Sequence, residues 1–232
     1  MYESDARESV IHILQKNGIT VTETMIPWDN QAQPKRLAKK QASEEIFAAA
    51  VLGKVNAHAS GIVSEYEGES GCVQFFRTGE FQIAFSAGLP IDGKDKEEHA
   101  MSFLKKLGIE SEVIGIEQDI VTLRQLYEDL PVFSCDATVE YRDGLLYKVR
   151  GWCLFGETEQ GQDRALQAET LLLRFMESVA DETTIVSIIP GYAYHTNLSL
   201  ATTLTPVWYI QTNSGAYQMN CVTGGCQPIP KE

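Results

Sequence analysis

Basic residues are scarce in this 232-residue chain: 19 Lys and Arg stand against 32 Asp and Glu, a formal net charge of −13 at pH 7. Nucleic-acid binding requires clustered Lys and Arg to neutralise phosphates, so a chain with a pI near 4.8 argues against a DNA or RNA partner. The same charge disfavours broad docking on anionic lipid. No apolar run approaches the ~18 residues that span a bilayer; the best, 46–53 and 170–175, are short and flanked by charge. No basic segment followed by an apolar core opens the chain, so no signal peptide is visible. Cysteine is sparse too: Cys72, Cys135, Cys153, Cys221 and Cys226 make an odd count without a CxxC pair, neither a disulfide framework nor a zinc signature. The turn between Cys221 and Cys226 admits a metal pair or a disulfide, but the preferred reading is unpaired thiols beside a turn.

What is present is a globular composition, 44% hydrophobic and 22% charged, in a length that suits one large domain or two ordinary ones. Apolar residues at Val10, Ile11, Ile13 and Leu14 predict an amphipathic helix stopped by Asn17 and Gly18. A strand is expected over 19–26, closed by Pro27, and a second short helix over 43–52. Between them, Lys35, Arg36, Lys39 and Lys40 would stack at i,i+4 if helical, a basic patch whose first reading is a solvated face and whose second is a lipid headgroup or acidic-partner contact. Period-two runs at 56–66, 71–77 and 80–86 predict an antiparallel meander. A loop over 88–93 should lead to a helix capped by Asp95, with Glu98 three residues on.

Beyond that helix the chain repeats a pattern. A helix, a strand, a Pro-Val-aromatic unit (Pro131-Val132-Phe133) and a turn at Asp143-Gly144 are followed by a helix over 164–179, a strand over 184–189, Pro206-Val207-Trp208 and a turn at Asn213-Ser214-Gly215. The expected fold is α+β, with helices packed on antiparallel sheets. Residues 1–93 would form an N-terminal α+β domain and 94–232 a C-terminal domain of two helix-plus-sheet units, about 94–158 and 159–232. Leu172, Leu173 and Phe175 should face the sheet, with Glu169, Arg174 and Glu177 in water.

Catalytic motifs are near-misses. Gly88 to Lys94 satisfies GxxxxGK, but Asp95 stands where the Mg²⁺-binding hydroxyl belongs and Asp92 adds negative charge, so the preferred reading is a turn into a helix cap. Glu65, Glu67 and Glu69 at period two have a geometry a glycosidase or cation site uses, and the preferred reading is a solvated strand end. His12, His58, His99 and His195 are each alone, without HExxH, and no GxSxG is present. No metal or cofactor is expected. The aromatic residues Tyr192, Tyr194, Trp208, Tyr209 and Tyr217 crowd into the last 41 residues, where about half should be core packing and a partly exposed stripe, with Tyr192, Tyr194, Trp208 and Tyr209 as its candidates, would contact a partner or ligand.

Ile188 to Tyr192, the run Leu204-Thr-Pro-Val-Trp-Tyr-Ile210, the Ser214-Gly215 turn and the Asn220 to Gly224 end together resemble the C-terminal PepSY-like module of the YycH and YycI proteins. These are extracytoplasmic regulators of an essential histidine kinase in low-GC Gram-positive bacteria. The opening, with its helix, Asn17-Gly18 and Ile26-Pro27, is similar to the segment after the membrane anchor in that family. The resemblance implies two PepSY-like units, an ectodomain held at the cell membrane by an N-terminal transmembrane helix absent from this chain, and regulation without catalysis. It further implies protein contact with a membrane histidine kinase or another envelope protein, and admits a homo- or heterodimer. The alternative is a PepSY-like module that binds peptides or cell-wall fragments or inhibits a protease; a glycan hydrolase using Glu65 and Glu67 ranks last.

Overall fold

The computed structural model describes residues 2–29, 32–38, 41–93, 95–152, 157–160, 163–180, 182–196 and 201–230. Helix α1 (Tyr2–Lys16) is followed by a 3-10 turn at Glu23–Met25, strand β1 (Lys35–Ala38) and helix α2 (Gln41–Leu52). Strands β2 (Asn56–Ser60), β3 (Val63–Gly68), β4 (Gly71–Phe76) and β5 (Glu80–Pro90) precede α3 (Lys96–Lys106). Then come β6 (Ser111–Glu117), β7 (Ile120–Tyr127), β8 (Leu130–Arg142), β9 (Leu145–Trp152) and β10 (Glu157–Gln160). The chain closes with α4 (Ala168–Met176), β11 (Ile185–Thr196), β12 (Ala201–Thr212), β13 (Ala216–Asn220) and β14 (Cys226–Ile229). The architecture is α+β and strand-rich, as the alternating hydrophobic pattern requires.

Two compact units divide the chain. The first takes Met1–Lys35, Gln160–Ala193 and Leu204–Glu232; the second takes Arg36–Glu159 and Tyr194–Thr203. The second holds a continuous antiparallel run in the order β2-β3-β4-β5-β9-β8-β7-β6. On one face Val73, Phe75, Phe81, Ile83, Val149, Ala137, Val139, Val121 and Leu123 are buried. Helices α2, through Phe47 and Ala48, and α3, through Ala100 and Leu104, complete that core. Phe47 meets the rings of Phe75 and Phe81 edge-on at 5.5 and 5.0 Å, the arrangement that aromatic quadrupoles favour. The expected boundary at 93/94 therefore falls inside the second unit, because helices from both sides of it bury their apolar residues in one core.

Local chemistry sets the element ends. Asp95 Oδ1 accepts the Glu98 N–H at 2.7 Å and caps α3. At its other end Gly108 N–H donates to the Lys105 carbonyl and Ile109 N–H to the Leu104 carbonyl, a Schellman closure that places Gly108 at φ +77°. Helix α1 ends the same way at Gly18, with Ile19 N–H on the Leu14 carbonyl. Asp143 and Gly144, both at positive φ, give the β8–β9 hairpin the turn handedness that strand twist favours.

In the first unit, Val10 and Leu14 of α1 and Ala168, Leu171, Leu172 and Phe175 of α4 pack with Ile185, Ile188, Trp208, Ile210 and Met219 of the sheet. β11, β12, β13 and β14 are neighbours in that order.

Several expectations are corrected. Residues 19–26 supply only a bridge from Thr20 to Thr184 before the 3-10 turn at Glu23–Met25 interrupts the extended run. Lys35 and Arg36 lie in strand β1, so no helical i,i+4 stack exists there, while Lys39 and Lys40 lie outside the described residues. The run 56–66 is a hairpin folded at Gly61, whose φ of +58° suits glycine. The expected loop at 88–93 begins late: β5 continues to Pro90 through an irregularity between Ala84 and Leu89. Helix α4 is shorter than expected, and Leu171 rather than Leu173 joins Leu172 and Phe175 in the core.

Leu172 is fully buried. Leu172→Ala should lower the unfolding free energy by about 2–5 kcal/mol in urea titration, and a loss below about 1 kcal/mol would show that α4 does not close this core.

Candidate functional site

The four aromatic residues singled out by the sequence separate into different environments. Tyr192 (1% exposed) and Trp208 (3% exposed) are core residues, Trp208 packing in the cluster that α1 and α4 cover. Burial removes both from any contact surface, because β12 turns Trp208 and Ile210 toward the helices. Tyr194 is half-buried and acts as a clasp within the second unit. Its hydroxyl donates to the Thr78 carbonyl at 2.8 Å and its ring lies 4.9 Å from that of Trp152. A Cβ on Gly79 would stand 2.0 Å from that hydroxyl, and Gly79 has φ +97°, so glycine is required there on both counts.

Tyr209 alone of the four projects from the outer face of the first unit's sheet, half-buried and opposite Gln218, which is in turn opposite Gln227. The next row is Gln211, Ala216 and Ile229. On β11, Val186 is 51% exposed and Ile189 44% exposed. None of these outward residues is charged, although 22% of the chain is. A solvated sheet face usually carries Lys, Glu, Arg and Asp, so an aliphatic, amide and phenol surface is unusual for an acidic protein. Sequence reasoning found Tyr209 but missed Val186, Ile189 and the Gln218–Gln227 row. The signal available was the lack of charge at alternate positions of β12, β13 and β14.

The other candidates separate as well. Glu65 and Glu67 do share the outer face of β3, but Glu65 accepts from Gln74 Nε2 at 3.0 Å and Glu67 lies 3.9 Å from His58 Nε2, while Glu69 sits in the following turn. His99 is a packing residue: its Nδ1 lies 3.0 Å from the Tyr141 hydroxyl. That hydroxyl donates to the Lys96 carbonyl at 3.0 Å, so it accepts from His99. Burial, with Asp95 nearby, raises the Tyr141 phenol well above its ordinary range. His12 and His195 are exposed. Among the described residues no group of three His, Cys, Asp or Glu is placed to hold a metal ion.

Cys72, Cys135, Cys221 and Cys226 are free thiols, and Cys153 lies outside the described residues. Cys221 Sγ lies 3.9 Å from the Met219 carbonyl and its thiol is pushed up to about 12 by burial, opposed by a backbone hydrogen bond at Trp208. Burial also raises Cys226, opposed by a hydrogen bond with Ser178. The two therefore engage different neighbours. A shallow cleft lined by Ala32, Ala165, Leu166, Leu171, Pro206, Val207, Trp208 and Cys221 has a cavity volume of about 10 Å³, room for no more than about one water.

Gln125 is fully buried at the end of β7, and neither its amide oxygen nor its nitrogen has a hydrogen-bond partner. Its Nε2 lies against Gly151, where an added Cβ would approach it to 3.0 Å.

No protein-family model matches the chain, and no curated protein sequence matches it. Among solved structures, the chain is similar to an uncharacterized protein from Eubacterium rectale at 12% identity, over 88% of this chain and 89% of that one, with a TM-score of 0.48. It is also similar to the Bacillus megaterium YpeB C-terminal domain at 10% identity, over 84% of this chain and all (100%) of that one, with a TM-score of 0.41. Neither likeness carries a functional argument, and neither names YycH or YycI.

Two outcomes follow from these environments. Gln125→Met should leave the unfolding free energy unchanged or raise it, because an apolar side chain of similar length replaces an amide with unmet hydrogen bonds; a loss above about 1 kcal/mol in urea would reveal a partner for that amide. The raised Cys221 thiol gives a definite sign in alkali. Unfolded chains lose the thiol proton from about pH 9, the folded chain only near 12, so stability is full below pH 9 and declines between the two. Cys221→Ala should reduce that decline in urea midpoints measured from pH 8 to 11, and an unchanged slope would contradict the burial.

Proposed function

We propose that this protein is a non-catalytic, extracytoplasmic binding and regulatory module that acts by contact with a membrane protein. A histidine kinase is the first candidate and another envelope protein the second. The observation that carries this reading is the uncharged row of Tyr209, Gln218 and Gln227 on the first unit, together with Val186 and Ile189 exposed on β11 of the same unit. Apolar and aromatic residues depleted of charge mark the central part of protein contact surfaces. A chain with net charge −13 is repelled from anionic surfaces by long-range forces, and a neutral patch is where a specific partner approaches without desolvating charge.

The helix-over-sheet arrangement within each unit supports a PepSY-like reading, and the motif resemblance to YycH and YycI supplies the regulatory context. In this reading a transmembrane helix N-terminal to the chain holds the module at the outer side of the cell membrane. Its action is to shift a conformational equilibrium of the partner through differential affinity for two states.

A photo-crosslinking side chain at Gln218, in the full reading frame in its native membrane, tests this contact. The expected result is a discrete adduct with one membrane protein, identified by mass spectrometry and abolished by Val186→Lys with Ile189→Lys in a folded protein. Absence of a specific adduct, or one indifferent to those lysines, would overturn the assignment of this face.

A further inference from the structure

The second unit's sheet has an outer face of a different character. Cross-strand register aligns Gln74, Gln82, Arg150, Thr138 and Thr122 in one row across five strands. Their neighbours along each strand, Val73, Ile83, Val149, Val139 and Leu123, are fully buried, so this row faces away from the helices. Lys148 follows two residues from Arg150 on β9 and lies on the same face, between Ala84 and Glu140.

Two carboxylates on this face are paired with arginines. Asp136 is taken by Arg124, with Nε at 3.0 Å and Nη2 at 3.3 Å, and Glu140 by Arg142 at 2.7 Å. Glu65, opposite Gln74 at the end of the row, accepts from that neutral amide and keeps its charge. Among the described residues, Lys148 and Arg150 have no carboxylate partner within 4.0 Å. Arg150 is exposed, and its Nε donates to Gln82 Oε1 at 3.1 Å. That bond holds the guanidinium by its side and leaves the two terminal nitrogens as a free fork.

We infer that this row is a carboxylate-binding site, in which Arg150 grips an acidic side chain or chain end of an extended peptide, with Lys148 and Thr138 beside it. A planar carboxylate matches the two parallel N–H donors of an end-on guanidinium. Glu65, whose charge is not neutralised, disfavours a second negative charge on the ligand, which favours a monoanion over a phosphate. Amides and hydroxyls along the row supply donors and acceptors for peptide groups. The inference goes beyond the proposed contact: it concerns the other unit and stands even if the uncharged face binds nothing.

Titration of the ¹⁵N-labelled protein with acetyl-Ala-Glu-Ala-amide tests it, with acetyl-Ala-Gln-Ala-amide and inorganic phosphate at matched ionic strength as separate arms. The expected result is saturable shifts of the Arg150 Nε–H and of the Thr138, Lys148 and Gln82 amides with the Glu peptide, absent with the Gln peptide. Lys148→Gln with Arg150→Gln should weaken binding at least about tenfold while the rest of the spectrum is unchanged. No localised shift, equal binding of both peptides, equal binding by the variant, or a response to phosphate alone would each overturn the assignment.

Discussion

Each sheet is covered by helices on one face, and the period-two geometry of a strand sends every second side chain to the other. In the second unit α2 and α3 cover the face that holds Val73, Phe75, Phe81, Ile83 and Val149, and in the first unit α1 and α4 cover that of Ile185, Trp208, Ile210 and Met219. Everything available for recognition is then a consequence of what those strands carry at their remaining positions. The cores also explain why glycine stands at the tight places, as at Gly79 beneath the Tyr194 hydroxyl and at Gly151 against Phe81.

The two open faces answer to different chemistry. That of the first unit combines exposed aliphatic side chains with a phenol and amides, which suits a dry contact with another protein. That of the second is a polar surface on which Arg124 and Arg142 hold Asp136 and Glu140, while among the described residues Lys148 and Arg150 have no carboxylate partner within 4.0 Å. A protein of strongly negative net charge can in this way combine general repulsion with two local exceptions. The proposed regulatory role needs only such surfaces.

Much of the architecture was legible before any coordinates. Helix ends at Gly18 and Gly108, the Asp95 cap, the Asp143-Gly144 turn and the meander all arise from local rules that act within about five residues. The errors have local causes too. The charge spacing of Lys35 to Lys40 suits a helical period, yet Lys35 and Arg36 join a strand, since positions such as Leu37 are decided by burial and not by charge spacing. Pro131 and Pro206 lie in different units, whereas residues on either side of 93/94 lie in one, because α3 and α2 share one core although a long stretch of sequence separates them.

The amino-acid sequence by itself determined the α+β class, the acidic character, the principal turns and caps, and the absence of familiar catalytic spacings, because each depends on composition or on neighbours along the chain. Only tertiary structure decided which side of a strand meets the helices. That choice buried Tyr192 and Trp208, turned Tyr194 into a clasp on Thr78 and left Tyr209 facing outward beside Gln218. It also aligned Arg150 with Gln82 and Thr138 from distant segments. The physical reason is that alternation defines two faces but not which of them will be buried, and register across strands is settled by packing among residues far apart in sequence.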